Sequence, residues 1–389
     1  MASSSSSAFV DVAIVGVGLV GSSVIKQLLT VPSLNPILRI VLLQNSKKAL
    51  IKPNGLPTSA ASTWANDLTS SQDAALAPAD LVSHLQSHRS QAAKHVVVVD
   101  NTSSQVIADA YPSFLNAGFS VVTPNKKAFS ASSSLYASIL SAIKSKSSSS
   151  TPAIERPLIY QESTVGAGLP IIGTLNDLVG TGDQVRKIEG VFSGTFSYIF
   201  NNYSTVKGSQ VGFSQVVRVA KENGYTEPHP GDDLSGSDVA RKLAILARLL
   251  PDQFDPKSSL PEGYASVDTK SLTPEPLQDV TDPTEYVNRL PDFDADFDKL
   301  RKQAFEQGQV LRYVGVIDVE KKVIKASLES YPFSHPFASA LSGSDNIVAF
   351  HTERYANAPL IVQGAGAGAD VTAMGVVADL RRVSERRAV

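Results

Sequence analysis

Between Gly224 and Leu246 the chain reads GYTEPHPGDDLSGSDVARKLAIL. Glu227, Asp232, Asp233 and Asp238 fall close together, and Arg241 and Lys242 follow as the run turns apolar. Three kinds of behaviour suit such a cluster. Carboxylates on a solvated turn would do no chemistry. Alternating oxygens would hold a divalent cation. A carboxylate and a lysine kept partly out of water would carry a proton, because a partly buried lysine is readily tuned for that task. A calcium loop of the EF-hand type needs alternating oxygen ligands and a closing Glu. Here Pro228 and Pro230 interrupt, no Glu closes the run, and the cation reading falls away.

Helical spacing separates the remaining charges. After Gly236, the residues Val239, Leu243, Leu246 and Leu250 recur at i, i+4, i+7 and i+11 and share a face. Asp238 and Lys242 form an i, i+4 pair, and their stripe runs on through apolar Ile245 and Leu249. Arg241 and Arg248 are left for the wet face. The Asp238–Lys242 pair keeps two readings: a helix salt bridge, worth about 0.3–0.5 kcal/mol when exposed, or a proton-carrying site. Asp232 reads as a turn residue.

A second constellation lies near the start. Gly16-Val17-Gly18-Leu19-Val20-Gly21 follows the strand-like VDVAIV and opens the helical SSVIKQLL. In that setting a G-x-G-x-x-G loop binds a dinucleotide. Gly16 permits the tight turn, Gly18 lets the backbone approach a pyrophosphate, and Gly21 allows close helix–strand packing; the helix N-terminus attracts the phosphate charge. The second strand ends in LLQNSKK, where an NAD enzyme usually presents an acid to the ribose. The absent acid, with Lys47 and Lys48, points to NADP, with NAD possible; the plainer alternative is a solvated lysine pair. Asn101-Thr102-Ser103 and Pro124-Asn125-Lys126-Lys127 follow two further β-branched runs, at strand ends where open α/β sheets bind ligands.

The elements that must hold these residues follow from pattern. Short apolar runs (Phe9–Val15, Ile37–Leu43, Lys94–Asp100, Phe119–Thr123) alternate with helical stretches, which predicts a Rossmann-type, doubly wound parallel sheet. VRKIEGVF, VLRYVGVIDV and VIKASLESY mix with helices such as FSQVVRVAKENG, stopped by Gly224, and predict a second, mixed α/β domain. The expected boundaries are a disordered start over 1–8, a nucleotide-binding domain over 9–155 completed by 360–389, and a substrate-binding, catalytic and dimerisation domain over 156–359. The stretch from Pro251 to Pro291 reads as an irregular excursion, and KSKSSSSTPA as a surface loop.

Composition removes whole classes. With 389 residues, 42% of them apolar, the chain has material for two packed domains. A net charge of −2 gives no footprint for nucleic acid. No apolar run is long enough for a transmembrane helix and the start has no secretory pattern, so no membrane association and a cytoplasmic location are expected. The chain has no cysteine, which excludes thiol nucleophiles and thiolate metal sites.

The glycine loop, DNTSS, TPNKKAFS, ESTVGAGLPII, EGVFSGTFSYIFN, GYTEP…DDLSGSDVARK and QGAGAGADVTA resemble homoserine dehydrogenases, in matching order and over nearly the whole chain. The likeness is nearest to the fungal, monofunctional type, with neither a preceding kinase domain nor a C-terminal ACT domain expected. The resemblance implies interconversion of L-aspartate 4-semialdehyde and L-homoserine with a nicotinamide cofactor, in threonine and methionine synthesis, by a homodimer built through the middle domain. It places cofactor contacts on Val17, Gly18, Leu19, Val20, Thr102, Ser103, Pro124, Lys126 and Gly368. It places substrate contacts on Gly224, Glu227, Asp233, Asp238 and Lys242. Lys242 is then the expected proton carrier, Asp238 its orienting partner and Lys126 the second candidate for the proton role. The resemblance also implies a monovalent cation, expected to be Na+, at Glu162 and the main-chain carbonyls of Val165, Ala167 and Leu169. His229 and Gly231 depart from the family pattern, and so does the acid-free Gln44-Asn45-Ser46. Rival readings include aspartate-semialdehyde dehydrogenase, which the missing cysteine excludes, and another NADP-dependent reductase of amino-acid metabolism. A dinucleotide-binding redox sensor without activity would need neither DVARK nor TPNKK.

Overall fold

The computed structural model describes residues 9–34, 37–92, 95–147, 150–152, 155–250 and 260–387. The expected disordered start, the centre of the Ser-rich segment and residues 251–259 lie outside these spans. The chain forms two compact units, one of 1–129, 134–168 and 368–389, the other of 130–133 and 169–367.

The first unit is built on β1 (Val10–Val15), β2 (Leu38–Gln44), β3 (Ala49–Ile51), β4 (His95–Asp100), β5 (Ser120–Val122) and β6 (Ile159–Tyr160). Their order in the sheet is β3-β2-β1-β4-β5-β6. All neighbours run parallel except β3, a short antiparallel return from β2. Every residue of β1 and β4 is buried, as expected of strands covered on both faces. The helix Leu19–Thr30 buries Val24, Ile25, Leu28 and Leu29 in the same core as Ala373, Val376, Val377 and Leu380 of the last helix, Ala369–Arg387. A hydrogen bond from Ser23 Oγ to Asp370 Oδ1 (2.6 Å) ties the two helices together.

The second unit holds β7 (Val185–Val191), β8 (Asp268–Thr269), β9 (Gln309–Asp318), β10 (Val323–Pro332), β11 (Asp345–Thr352) and β12 (Leu360–Ala365), in the order β12-β11-β7-β9-β10-β8. This sheet is antiparallel apart from the β8–β10 edge. Phe196 of the helix Gly194–Tyr203 stacks on Tyr313 of β9, with ring centroids 4.0 Å apart. A Cβ at Gly315 would lie 2.8 Å from Leu243 of the helix Ser237–Ala247, so glycine lets that helix lie close to the sheet.

The domain boundaries differ from the sequence expectation. Strand β6 joins the first sheet, which carries that unit past 155 to Gly168. Strand β12 pairs with β11, so residues from 360 belong to the second unit until Ala367. Both are short or half-exposed strands, which carry a weak sequence signal. The Pro251–Pro291 excursion is also less irregular than expected. It contains the helix Pro283–Arg289, capped by Asp282, which accepts hydrogen bonds from the Thr284 and Glu285 N–H groups (2.9 and 2.6 Å).

Candidate active site

In the first unit, Gly16 has φ +90°, a backbone only glycine adopts easily. A Cβ at Gly21 would lie 2.1 Å from the Gly16 carbonyl oxygen, so the helix can leave β1 this tightly only without a side chain there. A Cβ at Gly18 would meet no protein atom within 4 Å; this glycine serves approach from outside the protein rather than packing. The Asn101 Oδ1 and Nδ2 atoms are buried without a hydrogen-bond partner among the described residues, beside the same loop. Unpaired buried polar atoms are rare, and an amide with both of its atoms unpaired at a strand end fits a ligand that brings its own donors and acceptors. These observations fit a nicotinamide dinucleotide. Gly21→Ala should abolish measurable cofactor binding by titration calorimetry, whereas Leu19→Ala, on an 84% exposed side chain, should not.

The two polar loops after β4 and β5 share one anchor that the sequence reading overlooked. Asp100 is fully buried. Its carboxylate accepts hydrogen bonds from Thr102 N–H (2.8 Å), Thr102 Oγ1 (2.6 Å), Tyr111 Oη (2.6 Å) and Asn125 Nδ2 (3.0 Å). The Asn125 Nδ2 group also reaches the Ser104 carbonyl, and its Oδ1 accepts from Lys127 N–H. Thr102, Ser103, Pro124 and Lys126 are therefore held on a common frame. Burial raises the Asp100 carboxyl above its ordinary value, against the pull of these hydrogen bonds. The signal was present as the D of VVVVD, a charge closing an otherwise apolar strand.

Strand β2 ends with Gln44, whose amide is turned to the main chain of Leu76 and offers no carboxylate to a ribose. The lysine pair splits. Lys48 Nζ donates to the Ser71 carbonyl (2.5 Å), while Lys47 stays exposed.

Glu162, Val165 and Ala167 lie in a buried turn in which Gly166 and Ala167 both have positive φ, +77° and +56°. An alanine held left-handed costs about 1 kcal/mol or more. The Glu162 carboxylate is engaged by Arg382 (3.2 Å), and the Glu162 N–H donates to Asp379 (2.8 Å). Burial lifts the Asp379 carboxyl to about 6, partly offset by that backbone N–H and by Arg382. The fourth residue of the expected cation set, Leu169, follows the division between the units, and its carbonyl accepts from Ile171 N–H (2.8 Å). Gly368, expected to meet the cofactor, has φ +118° and stands just before the last helix.

In the second unit, Gly224 (φ +71°) ends the helix Phe213–Glu222 as the sequence predicts. The chain then brings Asp233 under Glu227, whose N–H donates to Asp233 Oδ2 (2.8 Å). Asp233 Oδ1 lies 2.8 Å from the Thr195 hydroxyl, which is also 2.6 Å from the Tyr225 carbonyl. Thr195 is a member of the site for which sequence spacing carries no signal beyond the FSGTFS motif. Burial raises the Asp233 carboxyl to about 6, and Glu227 and Asp238 push the same way against the two hydrogen bonds. Asp233 thus holds its proton more tightly folded than unfolded. The stability this adds is complete below the ordinary carboxyl value of 3.8 and is lost as pH rises towards 6. Asp233→Asn should raise the melting temperature more at pH 8 than at pH 5; equal gains at both pH values would contradict the raised value.

His229 and Gly231, the two departures from the family pattern, belong together. His229 Nδ1 accepts from Gly231 N–H (3.1 Å) and caps the turn Pro230–Leu234, while Nε2 meets the Val280 carbonyl (2.9 Å). A Cβ at residue 231 would lie 2.8 Å from the His229 ring, so histidine at one position calls for glycine at the other. Asp232 is exposed on this turn, as expected.

The helix Ser237–Ala247 presents Lys242 inward, 7% exposed. Its Nζ lies 2.8 Å from Asp238 Oδ2 and donates to the Phe192 carbonyl at 2.6 Å. Asp238 keeps half of its side chain in solvent. The pair is an i, i+4 ion pair of asymmetric kind, a buried lysine facing a half-exposed carboxylate. Arg241 is half-buried, its guanidinium 4.2 Å from the Tyr264 ring centroid. Arg248 is not on the wet face: it is 3% exposed and donates to the Ala131 carbonyl. Residues 130–133 fold onto the second unit from far away in sequence, which helical spacing cannot reveal.

Two family models match the chain: homoserine dehydrogenase over residues 170–380, and the homoserine dehydrogenase NAD-binding domain over 16–149. The homoserine dehydrogenase of Saccharomyces cerevisiae is 43% identical over 377 residues, covering 97% of this chain and 98% of that one. The chain belongs to the homoserine dehydrogenase family. Members are NAD(P)-dependent oxidoreductases of amino-acid biosynthesis. The homoserine dehydrogenase of Paracoccidioides brasiliensis is 44% identical, with coverage of 96% and 97%. A solved Candida auris structure described as of unknown function matches with a TM-score of 0.85 at 42% identity, covering 97% of this chain and 99% of that one. A hyperthermophilic archaeal homoserine dehydrogenase solved with NADPH shares the fold, with a TM-score of 0.65 at 19% identity and coverage of 97% and 99%. No helix among the described residues is long and apolar enough to cross a membrane.

Proposed function

We propose that the chain interconverts L-aspartate 4-semialdehyde and L-homoserine, with Lys242 as the proton carrier. The carrying observation is the buried Lys242 ammonium, held between Asp238 and the Phe192 carbonyl. Asp238 is also close enough to act electrostatically on Asp233. The nicotinamide, when bound, supplies or accepts the hydride at the carbonyl carbon. In reduction, Lys242 hydrogen-bonds the aldehyde oxygen, stabilises the negative charge developing there and gives it a proton. In oxidation the neutral amine takes that proton back. Asp238 fixes the Nζ direction. Glu227 and Asp233 supply negative charge for the substrate ammonium, and Gly224 and Thr195 shape that end of the site. The direct test is NADPH oxidation monitored with aspartate semialdehyde. Binding of NADPH without turnover would favour the sensor reading.

The cofactor loop is Gly16 to Gly21 with Val17, Leu19 and Val20, joined by Thr102, Ser103, Pro124, Lys126 and Gly368. NADP is the preferred form because Gln44 offers no carboxylate and Lys47 is free to meet a 2′-phosphate. Lys47→Glu is expected to lower kcat/KM for NADPH at least tenfold more than for NADH. An unchanged ratio would remove Lys47 from cofactor choice. A monovalent cation, Na+ by resemblance, suits the Val165, Ala167 and Leu169 carbonyls better than the Glu162 carboxylate, which Arg382 already occupies. The enzyme is read as a cytoplasmic homodimer through the second unit, testable by sedimentation.

A further inference from the structure

The Phe192 carbonyl has a second partner. Phe192 follows the last residue of β7, and its oxygen accepts a hydrogen bond from Asn346 Nδ2 at 3.1 Å as well as from Lys242 Nζ at 2.6 Å. Asn346 stands on β11 one residue before Ile347, the partner of Val191, so the strand register brings its amide to the end of β7. The Asn346 side chain is fully buried, and its Oδ1 has no hydrogen-bond partner among the described residues. A buried amide half satisfied is unfavourable, and an aliphatic residue of similar size would avoid the penalty. The backbone nevertheless makes room for it: a Cβ at Gly366 would lie 2.0–2.4 Å from the atoms of the Asn346 amide, so glycine is required there.

We infer that Asn346 is a positioning residue for catalysis, fixing the direction of the Phe192 carbonyl and through it the Lys242 ammonium. This rests on the reading of Lys242 as proton carrier. The carbonyl projects beyond the last paired residue of its strand, and the two side-chain donors occupy its two lone pairs. With the amide in place, the oxygen cannot turn to follow the lysine, and Nζ is anchored at a fixed point between that oxygen and Asp238. Without it, the carbonyl and the ammonium move together, and proton delivery loses the alignment on which its rate depends. The amide acts only through its N–H group, which explains why the oxygen end is left unpaired.

Asn346→Leu keeps the branching at Cγ and removes the donor, with a larger side chain; Asn346→Asp keeps the shape and serves if the leucine variant does not fold. Each is assayed in the full chain with NADPH and aspartate semialdehyde. The expected result is a kcat lowered tenfold or more, a KM for NADPH within twofold of the parent, and a larger solvent deuterium isotope effect on kcat, because proton transfer becomes rate-limiting. A kcat within threefold of the parent would overturn the inference, and so would a reduced kcat with an unchanged isotope effect, which is what a loosened fold would give. Lys242→Met is run alongside. Near-normal turnover in that variant would remove the Lys242 reading itself; a dead Lys242→Met beside an unaffected Asn346→Leu would remove only the role of the asparagine.

Discussion

Lys242→Met should lower kcat by about 10²–10⁴-fold, the range for losing a positioned general acid–base group, with KM for NADPH little changed. Methionine fills the 7% exposed cavity of the lysine stem with an unbranched side chain, so the helix Ser237–Ala247 should stay folded. It cannot donate to the Phe192 carbonyl or meet Asp238. That loss leaves the carbonyl satisfied by Asn346 and the carboxylate by solvent, which limits the structural penalty. Lys126→Ala is the necessary comparison, because a lysine on the TPNKK loop is the other candidate for the proton. It should raise KM for the cofactor and lower kcat by a smaller factor. If Lys126→Ala proves the more damaging to kcat and Lys242→Met turns over nearly normally, the roles must be exchanged. Asp238→Asn should fall between, about tenfold, because its exposed oxygen orients the ammonium without carrying the proton.

Asp100→Ala carries the largest expected effect on stability. The substitution leaves Tyr111 Oη with Thr123 and Asn125 Nδ2 with the Ser104 carbonyl, but strips the partly buried Thr102 N–H and hydroxyl of their acceptor. A buried donor without its acceptor costs about 1–3 kcal/mol. With several groups affected, a loss of about 3 kcal/mol and a fall in melting temperature of about 6–12 °C are expected. Calorimetry on the apo chain reads the first effect. Because Thr102 and the Asn125–Lys127 turn hang on the same carboxylate, NADPH affinity should fall as well, measured by quenching of NADPH fluorescence. Unchanged affinity in a folded variant would mean that the two loops keep their shape without the anchor.

Much of this could be read from residues in order. The glycine loop, the alternation of apolar runs and helices, and the inward turn of Lys242 all rest on spacing within one element, which survives without knowledge of neighbours. What escaped depends on partners distant in sequence. Arg248 looked solvated because residues 130–133 could not be foreseen beside it. Lys48 looked available to a phosphate until its nitrogen was found on the Ser71 carbonyl. The Phe192 carbonyl, which holds Lys242, is a main-chain atom to which no side-chain pattern can point. Asn346, 154 residues away, becomes visible only through the pairing of β7 with β11.

The first unit has an unusual relation to time. Its sheet strands and the helix Leu19–Thr30 emerge early in synthesis, yet the helix that seals their core through Ala373, Val377 and Leu380 is made only after the whole of the second unit. Until then the apolar face around Val24 and Leu28 has no lid, a state prone to aggregation. Residues 9–168 expressed alone should therefore be poorly soluble. The same stretch followed by a short flexible linker and residues 368–389 should fold as a separate nucleotide-binding module, with the closing helix delivered in sequence rather than awaited.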